Sequence, residues 1–314
     1  MTLNQDFSAN WWTKAHPLFI PVTEFVPLTI ILMTKKFHLW FILGLTSTLT
    51  LIFLECQTLS LLAQETSKLS QPQQAVEALS ASVKAERSHD FKSAIAKIDE
   101  ATKAGLKQSI VHYKKGCWHF RLGNVVASLK EFDRYVELEP SRANSQWERG
   151  ITCYYAKKYK AGAQQFVDYQ TYHNNDVENA VWRYLCQAKV DGKEKARKAI
   201  LPIKNDTRSP MMEIYELFRG ESTPEKVLAE LNAEKSTGPQ AKHQQFDAHL
   251  YLALFYDSEG DLPAAKKHID LAVKQFKRGD YMWAVAVEHQ KHVDRQITKG
   301  EDEQSGEQPT PRAR

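Results

Sequence analysis

Cysteine is scarce in this 314-residue chain, four in all, so no disulfide scaffold holds it together. Glycine and proline are sparse too, at 13 and 12, which excludes a collagen-like or wholly low-complexity chain. Neither sign of charge dominates: 42 Lys and Arg face 38 Asp and Glu, for a formal net charge of +4. That balance leaves no nucleic-acid footprint, and no nucleic-acid partner is expected. Catalytic signatures are missing as well. With no phosphate loop, dinucleotide fingerprint, Gly-x-Ser-x-Gly or zinc-type cysteine pair, neither an enzymatic activity nor a cofactor is expected.

Long apolar runs are confined to one end. Residues 1–63 carry only Lys14, Lys35 and Lys36 against Asp6, Glu24 and Glu55. From Met33, Met-Thr-Lys-Lys leads into the uncharged run Phe37–Leu54, and the small residue Ala63 follows after a polar interruption. This is the layout of a secretory signal cut near Ala63–Gln64. The run is also near bilayer-spanning length, so a permanent signal anchor is the alternative. Lysines before it and Glu55 after it orient the rest of the chain outward in both cases. The expected location is therefore periplasmic or envelope-associated, with Phe37–Leu54 as the anchor if it is retained. Residues 1–32 fit no part of a signal, since Pro17, Pro21, Glu24 and Pro27 break their apolar stretch. Met33 is thus a candidate true start. Cys56 follows Phe53-Leu54-Glu55, and an acidic residue there argues against lipid attachment.

Beyond a linker at 64–74, internal repeats decide the fold. Ala75, Ser109 and Ala143 stand 34 residues apart and open three units spanning 75–176. Position 8 of each unit is small: Ser82, Gly116, Gly150. Position 20 is small again, at Ala94, Ser128 and Gly162, while position 24 is large and apolar at Ile98, Phe132 and Phe166. Pro140 falls where the chain leaves its second helix, a place Asn174 takes in the third unit. Small residues let two helices approach, and the large one fills the space to the next hairpin. A further unit at 246–280 carries Ala253, the turn Gly260-Asp261 and Ala265. Residues 177–245 are degenerate, with short helices expected at Met211–Phe218 and Pro224–Asn232 and a loop at Ser236–Pro239. Apolar residues Met282, Val285, Val293 and Ile297 predict a capping helix over 281–298, and 299–314 reads as a disordered tail.

This pattern resembles the tetratricopeptide repeat, whose period is 34. The resemblance implies an all-α fold: a right-handed superhelical solenoid of helix hairpins with a C-terminal capping helix. A second resemblance rests on Trp147-Glu148-Arg149-Gly150-Ile151, Trp182-Arg183-Tyr184-Leu185 and Tyr251–Tyr256 with Gly260-Asp261-Leu262. These, in their order, are similar to the NlpI-like tetratricopeptide lipoproteins of bacterial envelopes. That resemblance implies an adaptor for an envelope protease or cell-wall enzyme, and a homodimer.

In tetratricopeptide proteins the first helix of each hairpin lines a concave, peptide-binding face. Carried onto this chain, those positions are Tyr113, Phe120 and Arg121 in one unit and Trp147, Tyr154 and Tyr155 in the next. They are the residue types of interface anchors, although Trp147 and Tyr154 also suit an ordinary core. Cys117, Cys153 and Cys186 read as small buried fillers, with a Cys117–Cys153 bridge as the alternative. His289 and His292, three apart, share a helix face, as do His112 and His119 by their spacing of seven; a solvated polar face is expected for each. No third metal ligand is evident, so no metal is expected.

The function expected is an exported adaptor or scaffold that binds proteins or peptides through the concave groove. A membrane-anchored assembly factor is the rival, and a metal-dependent enzyme built on His289 and His292 is a third reading.

Overall fold

The computed structural model describes residues 69–233 and 236–305. The readings placed on 1–68 and on the chain beyond 305 lie outside those residues. Every helix described belongs to Gln71–Arg314, one of two units into which the chain divides. Among the described residues there is no strand, and no helix is long and apolar enough to cross a membrane.

Three helix hairpins stand where the 34-residue period puts them. They are α1 (Gln71–Arg87) with α2 (Phe91–Lys103), α3 (Ile110–Arg121) with α4 (Val125–Leu138), and α5 (Trp147–Tyr155) with α6 (Tyr159–Tyr172). The small positions explain the close approach. In the first hairpin the Ser82 hydroxyl donates to the Ala94 carbonyl at 2.9 Å. In the second the donor sits on the other helix, and Ser128 donates to the Gly116 carbonyl at 2.7 Å. In the third both positions are glycine, and a Cβ on Gly162 would stand 3.3 Å from the Gly150 carbonyl oxygen. Phe132 and Phe166 lie directly over Gly116 and Gly150, where a Cβ would come within 2.7 and 2.6 Å of the rings. Pro140 opens a short 3-10 helix, Pro140–Ser145, just after α4.

The degenerate stretch forms α7 (Val177–Asp191), α8 (Lys193–Lys198), α9 (Met211–Arg219) and α10 (Pro224–Ala233). Arg208, in the segment before α9, ties that segment to α7 through Glu178 at 2.6 Å and to the Asp176 cap at 2.8 Å. The last full hairpin pairs α11 (Gly238–Glu259) with α12 (Leu262–Lys274). Ala253 and Ala265 are fully buried in it. Gly238-Pro239 opens α11 instead of closing a loop, because proline suits the first turn of a helix. The final helix, α13 (Tyr281–Ser305), continues seven residues past the expected boundary at 298, so the chain is helical as far as 305.

Candidate protein-interaction face

The residues expected to line an open groove are brought together by α3 and α5, and α13 lies on them. The Phe120 and Tyr281 rings stack with centroids 5.0 Å apart and an interplanar angle of 22°. Trp147 meets the same Tyr281 ring edge-on at 5.3 Å. Arg121 donates to the Gly279 carbonyl at 3.2 Å and sets its guanidinium over the Tyr281 and Phe91 rings. Tyr154 and Tyr155 face His292 with ring centroids 6.3 and 6.2 Å away, and Tyr155 also faces His289. Phe120 and Tyr154 are therefore buried at 1% and 2% exposure, which corrects the expectation of an open face. The physical reason is the run Tyr281–Val287. Seven apolar residues in succession cannot share one helix face, so α13 must bury a second side, and the concave surface supplies it.

Tyr113 turns sideways between hairpins. Its hydroxyl donates to Glu148 at 2.5 Å, and its ring packs on Phe132 and Tyr135. Glu148 is buried, which pushes its carboxyl up to about 7 even though the Tyr113 bond works the other way. Burial raises the phenols of Tyr113, Tyr154, Tyr155 and Tyr281 well above their ordinary value, so all four stay neutral.

His289 and His292 do not form a solvated face. His289 is completely buried, and burial pushes its imidazole down to about 4. His292 is lowered for the same reason. Among the described residues no three His, Cys, Asp or Glu side chains are grouped to hold a metal ion. His112 pairs with Glu131 of α4 at 2.7 Å, while His119 is half-buried. Cys117, Cys153 and Cys186 are free and buried, with burial raising each thiol, Cys153 to about 11. Cys117 and Cys153 are both free, so no bridge joins them, and Cys153 sits with Cys186 beside Gly162.

Sequence reasoning missed Tyr281, Gly279, Glu148, Asp257 and Glu288 as members of this face. The apolar run at the start of α13 was the available signal; the polar residues carried none, since only tertiary packing makes them buried.

No family model matches the chain. A solved tetratricopeptide repeat protein from Parabacteroides merdae ATCC 43184 aligns with a TM-score of 0.45 and 11% identity, over 75% of this chain and 90% of that one. The NlpI-like resemblance gains nothing from these comparisons. The stacked hairpins themselves make the described chain an all-α helical-repeat solenoid.

Proposed function

We propose that the chain is a protein-interaction scaffold that is exported to the bacterial envelope and engages partner segments through the concave face of α3 and α5. The observation that supports this reading is the face itself. It already grips one helix through aromatic rings and Arg121, the manner in which helical-repeat grooves take up a partner helix. Binding there by Tyr113, Phe120, Arg121, Trp147, Tyr154 and Tyr155 requires α13 to withdraw. Export rests on the Lys35-Lys36 and Phe37–Leu54 pattern. An envelope protease or cell-wall enzyme as partner, and a homodimer, follow from the NlpI-like resemblance alone.

The test is capture from a crosslinked envelope fraction with the full chain as bait. Tyr281→Ala, which loosens α13, is expected to enrich partners over wild type, and adding Arg121→Ala and Tyr155→Ala is expected to lose them. Identical captures by all three baits would remove binding from this face. No capture by any of them would count against the scaffold reading.

A further inference from the structure

The interface between α13 and the concave face encloses an unusual set of polar atoms. His289 is wholly buried, and it lies against the Ala253 carbonyl without completing a hydrogen bond. His292 stacks on it at 5.8 Å with an interplanar angle of 24°. Around the two rings, the Tyr154 and Tyr155 hydroxyls from α5, the Trp182 indole N–H from α7 and Asp257 Oδ2 from α11 are buried without a hydrogen-bond partner. Buried polar groups are seldom left without partners, so this cluster calls for a physical account.

The charges facing this pair are few. From α11 comes Asp257, whose Oδ2 stands 3.6 Å from His292 Nε2 and whose Oδ1 accepts from Gln296 at 2.6 Å. From α7 comes Lys189, which acts on both imidazoles. From α13 itself come Glu288, Lys291 and Arg295, and the Glu288 carboxylate is already shared between the two cations at 3.1 and 3.6 Å. On the α12 flank, Lys266 and Asp270 are occupied with each other, with Asp294 and with Gln290. From α5 only the neutral phenols of Tyr154 and Tyr155 contribute. Two imidazoles thus face one carboxylate, Asp257, that no Lys or Arg pairs with. Asp257 can balance one imidazolium; a second leaves an unpaired positive charge near Lys189 in a site walled by rings.

We propose that α13 is an acid-weakened latch: protonation of His289 and His292 unseats the helix and bares the α3 and α5 face to a partner. This rests on the reading of that face as the binding face. The direction follows from linkage. The imidazoles are depressed while α13 is seated and ordinary once it is released. The seated state is therefore fully favoured above the ordinary histidine value and loses ground as pH falls from there toward about 4. At pH 5, His289 alone shifts the seated-to-released ratio by roughly 30-fold.

Global melting is the wrong readout. Glu148 and Asp247, both pushed up to about 7 by burial, favour the folded chain in acid, whereas His249, pushed down to about 4, disfavours it. The latch is read locally, by hydrogen–deuterium exchange of the full chain at neutral pH and near pH 5, corrected for intrinsic rates. Residues 281–298, 110–121 and 147–155 are expected to lose protection by tens-fold in acid while α1 and α2 keep theirs. His289→Gln with His292→Gln is expected to abolish the change. Equal protection of α13 at both pH values, or loosening that persists in the double variant, overturns the proposal. Should the variant fail to fold, NMR titration of the wild-type imidazoles decides. His289 is expected to titrate well below the ordinary range, and an ordinary titration with α13 still protected refutes the latch. No partner enters this experiment, so its failure leaves the scaffold reading intact, and a failed capture leaves the latch intact.

Discussion

Gly150 shows how a single hydrogen can set the distance between two helices. The Phe166 ring occupies the space a Cβ would need, at 2.6 Å, and a Cβ on the facing Gly162 would stand 3.3 Å from the Gly150 carbonyl oxygen. Helix propensity alone would make alanine better than glycine here by about 1 kcal/mol. Overpacking against a buried ring costs about 1–3 kcal/mol and should win. Gly150→Ala is therefore expected to lower the urea midpoint, and Phe166→Leu added to it to recover part of the loss. A raised midpoint would mean the ring moves aside freely. This level of the design was open to reading in advance, because Ser82, Gly116 and Gly150 recur at one position, and Ile98, Phe132 and Phe166 at another. Recurrence of a size class exposes packing constraints that no single residue reveals. Tyr113 was harder to place: its partner Glu148 lies in the next repeat, and nothing local marks a glutamate as buried.

At the scale of elements, each hairpin turns through one residue with positive φ. His89, Gly123 and Lys157 hold φ of 60°, 78° and 58° at equivalent places, and Gly260 holds 88° in the last hairpin. A side chain in this region costs about 1–2 kcal/mol, and Lys157 is exposed with no buried contact to lose. Lys157→Gly is expected to stabilise the chain by up to about 1 kcal/mol in chemical denaturation, part of the relief being offset by the greater freedom of glycine in the unfolded chain. No gain would show that the turn is relaxed by its surroundings. The short helices Met211–Arg219 and Pro224–Ala233 could be read from proline and glycine punctuation to within a residue. The start of α11 could not: Gly238-Pro239 punctuates a loop and opens a helix equally well, and the helix began eight residues before the repeat boundary expected at 246. The end of α13 is hidden for a related reason, since Glu301, Asp302 and Glu303 look like tail by composition while helix geometry continues through them.

At the scale of the whole molecule, the C-terminal helix returns to the second and third hairpins and fills the surface between them. Periodicity could not disclose this. A repeat specifies its neighbour on either side, but the docking of a terminal helix on a distant one is fixed by contacts such as Phe120 with Tyr281, which lie 161 positions apart in sequence. The closure also explains why Phe120 and Tyr154, expected in an open groove, are almost wholly buried. Function then turns on whether this seat is permanent or exchangeable. The direct measurement is the distance between spin labels at Lys130→Cys on α4 and Thr298→Cys on α13, both exposed, in a Cys56→Ser background. Cys117, Cys153 and Cys186 are buried with raised thiols and should stay unlabelled. With α13 seated, one narrow distance distribution is expected at neutral pH. A broad or multiple distribution there would contradict it, because α13 would not be seated on the concave face.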